Sequence, residues 1–386
     1  MLSHLKIFFT NKRSFAVSIV FVAMGFLYGN WATLIPFIKQ KYDLNDAELG
    51  LLLLCLPFGS TVTNPVATLL IHRFGMQKTT VFAMFLLGFT FAAPFWLNNL
   101  ALFSVMLILV GACESITNVA MNTCVTAIEI HENISIMSTC HGMFSIGLML
   151  GSVAASVMIG LHFVPVYQMT AMCLLVILAA IIIRPTILSI HEEKNIEENS
   201  QTKFVFPKGA LLLMIAISLC TNVTEGSMAD WTAVFMRDVV QTQDYFIGWG
   251  LAGYSMFMAT GRFLGDALIP KYGANNVLKI GGIIAAFGIL LAVFLPFTAT
   301  VIIGFAMVGA GVSCGAPILY ASAARVPNMA KGAGLATMNT FSIGGFLAGP
   351  VIIGFISKLV NLPFAIGLVA VLAFLWAFLA KKVKLY

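Results

Sequence analysis

The sequence predicts an all-α membrane protein with about twelve transmembrane helices arranged as two parallel six-helix repeats. Three observations carry this expectation. Hydrophobic residues make up 60% of the 386 positions and charged residues only 9%, with a mean hydropathy of +0.98. Soluble domains carry about 25% charged residues. Second, apolar runs recur along the whole chain, and most approach the roughly 20 residues that cross a bilayer. Third, motifs of the first half return in the second at a constant displacement of about 197–198 residues. Arg73-Phe74-Gly75 matches Lys271-Tyr272-Gly273, Gly111-Ala112 with Ser115 matches Gly309-Ala310 with Ser313, and Phe144-Ser145-Ile146-Gly147 matches Phe341-Ser342-Ile343-Gly344.

In chain order, the spans fall near 14–38, 47–70, 78–97, 101–128, 135–160 and 165–183, then 209–235, 246–270, 276–296, 299–324, 332–357 and 361–380. The first follows Lys12-Arg13 and carries Asn30-Trp31 near its far end. The second closes on Arg73-Phe74-Gly75. The fourth holds Glu114, Asn118 and Asn122, and the fifth holds His141 with Gly147 and Gly151. After the sixth comes the longest connection, Arg184 to Lys208, which is polar, mixed in charge and without apolar periodicity. It reads as a flexible linker. The expected domains are therefore 1–184, a linker at 185–208, and 209–386. In the second half, the seventh span carries Asn222, Glu225 and Asp230-Trp231, a looser match to Asn30-Trp31. The eighth contains Arg262 and Asp266, and the tenth Ser313 and Tyr320. The eleventh has Asn339, Gly344, Gly345, Gly349 and Pro350. Six spans return the chain to its starting side, so the repeats are parallel, as in one class of secondary transporters.

Charge sets the orientation. With the N-terminus inside, about 16 of the 21 Lys and Arg residues fall in cytoplasmic segments and about 4 outside. The acidic loop Glu129–Glu132 dissents, but acidic residues count weakly in this rule. The expectation is a multi-pass protein of a bacterial inner membrane with both termini cytoplasmic and no cleavable signal peptide. The basic residues sit between apolar spans and form no patch with interleaved aromatics, so nucleic acid is not an expected partner. Seven scattered cysteines show no CxxC and no metal-ligand spacing. No phosphate-cradling G-x-x-x-x-G-K-[ST] occurs, which leaves ATP-driven transport without support. The expected partners are the bilayer and a small-molecule substrate, with no cofactor beyond a coupling proton, and the chain is expected to act as a monomer. No enzyme chemistry is expected.

Glu114 is the leading functional candidate. Glu114, Asn118 and Asn122, spaced by four, share one helix face. A carboxylate near the bilayer centre costs roughly 3 kcal/mol on insertion scales and marks a functional site by default. The position displaced by 198 from Glu114 is Val312, so the other repeat does without an acid there. The bland reading is a buried, permanently protonated Glu that only bonds a neighbour. His141 has the chemistry to shuttle protons, or it is a satisfied helix contact. The amides bind solute or hold helices together.

Six plus six spans with R-x-G loops after spans two and eight resemble the major facilitator superfamily over the whole chain. Its loop motif reads G-x-x-x-D-R-x-G-R-x-K, and Arg73, Gly75 and Lys78 fit, whereas Thr68 and His72 replace the usual Gly and Asp. The resemblance implies a charge latch at these loops. In the second half it assigns that role to Arg262 and Asp266, with Gly273. Within the superfamily, GACESITNVAMN resembles span four of the fucose:proton symporter group, in which such a Glu and Asn lie in a sugar-binding cavity and the Glu carries the coupled proton. Glu225-Gly226-Ser227 with Asp230-Trp231, and Gly261-Arg262-Phe263, resemble a YbjJ-like bacterial branch. The symporters carry an acid late in span one, where this chain has Asn30-Trp31-Ala32-Thr33. A second titrating group is therefore sought in Glu225 or His141. The implied solute contacts are Asn30, Trp31, Asn118, Asn122, Asn222, Ser313, Tyr320 and Asn339. The resulting expectation is proton-coupled symport of a sugar or similar small polar solute. Two rivals remain, a proton-coupled efflux antiporter and a non-transporting solute sensor.

Overall fold

A computed structural model describes residue 8, residues 10–191, 206–326, 329 and 333–385, apart from the Asp266 side chain. Thirteen α-helices and no strand occur among the described residues. They are α1 (Lys12–Lys41), α2 (Asp46–Phe74), α3 (Met76–Ala92), α4 (Leu100–Glu132), α5 (Met137–Gly160), α6 (Pro165–Leu188) and α7 (Ala210–Val234). Then follow α8 (Trp249–Tyr272), α9 (Ala274–Phe294), α10 (Thr298–Val312), α11 (Gly315–Ala323), α12 (Ala333–Leu359) and α13 (Leu362–Leu379). The expected tenth span is thus two helices broken at Ser313-Cys314. Eleven spans among the described residues are long and apolar enough to cross a membrane. The twelfth, α8, has 24 residues, about 36 Å at 1.5 Å per residue. It is long enough to cross, but Arg262, Asp266 and Lys271 make it too polar to stand out by hydropathy.

Helix ends follow from local chemistry. The Asn99 side chain caps α4 by accepting from the Leu102 N–H at 3.1 Å, and Asn133 closes it in the left-handed region at φ 51°. Asn45 caps α2, accepting from the Ala47 and Glu48 N–H groups, while Glu48 reaches back to the Asn45 N–H at 2.9 Å. The acidic loop that dissents from the charge rule has a structural occupation. Glu129 accepts from the Ile136 and Met137 N–H groups at 2.6 and 2.8 Å, which caps the start of α5. Glu132 pairs with Arg13 at 3.5 Å and accepts from the Asn11 amide.

The duplication is visible in the packing. A Cβ on Gly111 would fall on the Leu56 carbonyl oxygen, and one on Gly309 would fall on that of Tyr254. Both members of the second pair are displaced by about 198 residues from the first. The glycines let α4 approach α2, and α10 approach α8, backbone to backbone. Gly75 and Gly273 stand at φ 82° and 80°, a conformation open to glycine, so the R-x-G and K-x-G turns are built alike. Between α1 and α5, Gly25, Gly29, Gly147 and Gly151 form a second close seam.

The chain divides into two compact units. The first contains α1 up to Phe37, α2 from Cys55, and α3 to α6. The second contains Ile38–Leu54 together with α7 to α13. The division thus differs from the expected one, which placed all of 1–184 in one domain. Ile38–Leu54 groups with the later helices for identifiable reasons. Lys39 pairs with Asp46 at 2.7 Å and Asp238 at 2.6 Å. Ser357 donates to Asp46, and Arg237 donates to Gln40. Gly50 and Gly354 let α2 and α12 touch. In addition α6 runs to Leu188, past the expected boundary. Most of the expected linker lies outside the described residues.

Candidate functional site

In the first unit the site is built on α4. Glu114 stands near the middle of this 33-residue helix, with Asn118 and Asn122 on the following turns. All three are half-buried. The Asn122 amide donates to the Asn118 side-chain oxygen at 2.6 Å and to its backbone oxygen at 2.8 Å, joining the two amides. The Glu114 carboxyl hydrogen-bonds the Ser60 hydroxyl of α2. The close approach at Gly111 and at Gly59, where a Cβ would fall on the Ile108 carbonyl, brings α2 near enough for that bond.

Other candidates of this unit lie elsewhere. Asn30 is fully buried and accepts from the Gln168 amide of α6 at 3.3 Å. Among the described residues its own NH2 group has no hydrogen-bond partner. Trp31 is 2% exposed, stacked on Phe103 and edge-on to Phe95. Both therefore face the core of the bundle. His141 packs edge-on against Phe21 at 5.3 Å, and the Ser145 hydroxyl donates to its carbonyl at 3.4 Å. Arg73 and Lys78 are exposed at the α2–α3 turn, and Arg73 lies over the Phe74 ring at 5.5 Å.

In the second unit, Glu225 of α7 lies 4.0 Å from the Arg262 guanidinium of α8. Arg262 is the residue expected at the loop latch of this half. Arg262 sits in mid-helix, about 14 Å along the axis from Lys271 at 1.5 Å per residue, with the Glu225 carboxylate facing it there. Asp266, its expected partner, has its side chain outside the described residues. Tyr254 and Tyr320 lie within electrostatic reach of Glu225, and Tyr320 hydrogen-bonds Ser342 of α12. Asn222 donates to the Ser342 carbonyl at 2.9 Å, and the Ser218 and Ser342 hydroxyls meet at 2.6 Å. Ser313 is buried at the α10–α11 break, donates to the Ala310 carbonyl at 2.7 Å, and packs on Gly261. Asn339 is exposed on α12. Asp230 is half-buried, while Trp231 beside it is fully buried, its indole N–H without a hydrogen-bond partner among the described residues.

Ser60, Gln168, Tyr254 and Ser342 escape sequence reasoning. Each is an ordinary residue of an apolar span whose partner lies on another helix. The small residues Gly59 and Gly111 are the one hint that α2 and α4 touch beside Glu114.

The profile of the Major Facilitator Superfamily matches residues 16–242 and 213–384. The chain belongs to the major facilitator superfamily. An uncharacterized MFS-type transporter of Yersinia pestis is 32% identical over 377 residues, with 96% of each chain covered. The membrane protein MosC of Rhizobium meliloti is 31% identical over 353 residues, covering 90% of this chain and 84% of MosC. Among solved structures, the D323A mutant of the nucleoside transporter NupG has a TM-score of 0.72 at 11% identity, covering 96% and 99% of the two chains. FucP in its outward conformation has a TM-score of 0.63 at 17% identity, covering 95% and 97%. At these identities the two structures speak for the fold. This facilitator is a multi-pass membrane transporter, not an enzyme.

Proposed function

We propose that this facilitator is a proton-coupled symporter that carries a sugar or similar small polar solute by alternating access, with Glu114 as the proton-handling group. The observation that carries the reading is Glu114 itself, a mid-span carboxyl whose partner is the neutral Ser60 hydroxyl. A hydroxyl donates to a carboxylate and accepts from a carboxylic acid, so this partner serves both protonation states. The joined amides of Asn118 and Asn122 extend the same face with the donors and acceptors that a polyol needs. The protein would work as a monomer in a bacterial inner membrane with both termini cytoplasmic and without a cofactor.

The test is a pH trace on de-energised cells expressing the protein, pulsed with hexoses, amino sugars, amino acids and lipophilic cations. Alkalinisation on adding a neutral solute, lost in Glu114→Gln, is the expected result. Coupled accumulation that persists in Glu114→Gln overturns the role of Glu114. Proton release on adding cations would move the protein to efflux.

A further inference from the structure

We infer that Asn64 of α2 binds a hydroxyl group of the transported solute, which extends the site of the first unit from α4 onto α2 and calls for a solute that presents at least two hydroxyls to it. This rests on the solute-transport reading and deepens it. Asn64 is exposed, and it stands about 6 Å along the axis from Ser60 at the middle of α2. An amide at that depth is expensive if it faces lipid. The lipid-facing side of α2 is marked by an exposed apolar stripe, Leu51, Phe58, Val62, Val66 and Leu69. At 3.6 residues per turn, Asn64 lies about 150° round from the centre of that stripe and Ser60 about 170°. On α4, exposed Leu102, Val105 and Leu109 form the matching stripe. Glu114, Asn118 and Asn122 each lie more than about 130° round from it. Both helices thus turn their polar residues away from lipid. The two faces also meet. Cys55 bonds Ser104, Gly59 packs on Ile108, Gly111 packs on Ser60, and Ser60 bonds Glu114. These contacts advance in the same order along both helices, so α2 and α4 run parallel. One turn past Ser60, Asn64 therefore comes level with Glu114 and within about one turn of Asn118. An amide that only held helices together would be buried between them. Asn64 is instead open, with an oxygen that accepts and an NH2 that donates, and so it can serve a hydroxyl in either sense. Asn118 and Asn122 offer the same chemistry to a second hydroxyl from α4. The repeat-related position in α8 is Arg262, so both halves place a polar side chain there.

The full-length protein tests this in two ways. In permeabilised cells, a small water-soluble methanethiosulfonate should modify Asn64→Cys and leave Val62→Cys, on the lipid-facing stripe, at the wild-type background. A panel of hexoses, pentoses and alditols at saturating concentration should contain a member that slows the modification of Asn64→Cys. With purified protein, equilibrium binding of that member should weaken about two- to tenfold in Asn64→Ala. One of its single-deoxy analogues should bind the wild type and Asn64→Ala alike, because the missing hydroxyl and the missing amide remove the same bond. The cysteine variant decides the matter if Asn64→Ala does not fold. An inert Asn64→Cys, equal modification of Val62→Cys, no protection by any member, unchanged affinity in Asn64→Ala, or additive losses with every deoxy analogue overturns the inference. None of these measurements needs a proton gradient. A solute coupled through Glu114 whose binding ignores Asn64 would overturn this inference alone. A solute bound through Asn64 and carried without proton movement would overturn the symport reading alone.

Discussion

Glu114 and its neighbours make separable predictions at the level of single side chains. A hydrogen bond such as that from Ser60 contributes about 0.5–1.5 kcal/mol net. Ser60→Ala should therefore slow coupled uptake about two- to tenfold, and Ser60→Thr, which keeps the hydroxyl, should restore most of it. Initial uptake rates at matched protein levels decide, and an unchanged rate in Ser60→Ala removes Ser60 from the site. Asn30 should behave differently. It is fully buried against Gln168, so Asn30→Ala leaves the Gln168 amide with its long 3.4 Å bond to the Ala155 carbonyl and opens a cavity, at a cost of about 1–3 kcal/mol. Its signature is a lower midpoint of thermal unfolding in detergent with solute affinity kept. A loss of affinity at unchanged stability would return Asn30 to the binding face.

Between helices, small residues and caps govern what the elements can do. Glu129 satisfies two N–H groups at the start of α5, whereas Glu132 makes a partly exposed ion pair with Arg13. Cap removal costs about 0.5–2 kcal/mol, and partly exposed pairs contribute about 0–1 kcal/mol. Glu129→Ala should thus lower the unfolding midpoint more than Glu132→Ala; the reverse order would deny Glu129 its capping role. The same contrast marks what a sequence conveys. The mid-span Glu114 face and the paired R-x-G and K-x-G turns were legible, because spacing along one helix or one repeat encodes them. The Ser60–Glu114 bond, the Arg262–Glu225 pair and the burial of Asn30 and Trp31 were not. Each depends on which face of one helix meets which face of another, and that is set by packing across the bundle. The α10–α11 break was also hidden, since Ser313-Cys314 sits in a run that reads as one continuous span.

For the whole molecule, orientation in the membrane is the property on which every transport reading depends, and the chain's own thiols make it measurable. Six of the seven cysteines are buried and Cys55 is half-buried, which gives a low background for labelling. Lys41, Lys78, Lys358 and Lys381 are exposed at helix ends, so a cysteine at each is open to reagent. The basic bias places Lys78 and Lys381 on the cytoplasmic side and Lys41 and Lys358 on the opposite one. A membrane-impermeant maleimide applied to intact cells should label Lys41→Cys and Lys358→Cys, and should label Lys78→Cys and Lys381→Cys only after lysis. Full reversal would place the termini outside and invert the direction assigned to symport. Agreement within one half and reversal within the other would deny that the two six-helix repeats are parallel. Labelling of Lys41→Cys also reads the Lys39–Asp46–Asp238 cluster, since that cluster sits at the same end of α1. Opening it with Asp46→Ala should raise the labelling rate there and leave Lys78→Cys unchanged, because Ile38–Leu54 is held to its unit by those contacts and by Ser357. An equal rise at both positions would mean general loosening of the fold in place of local release.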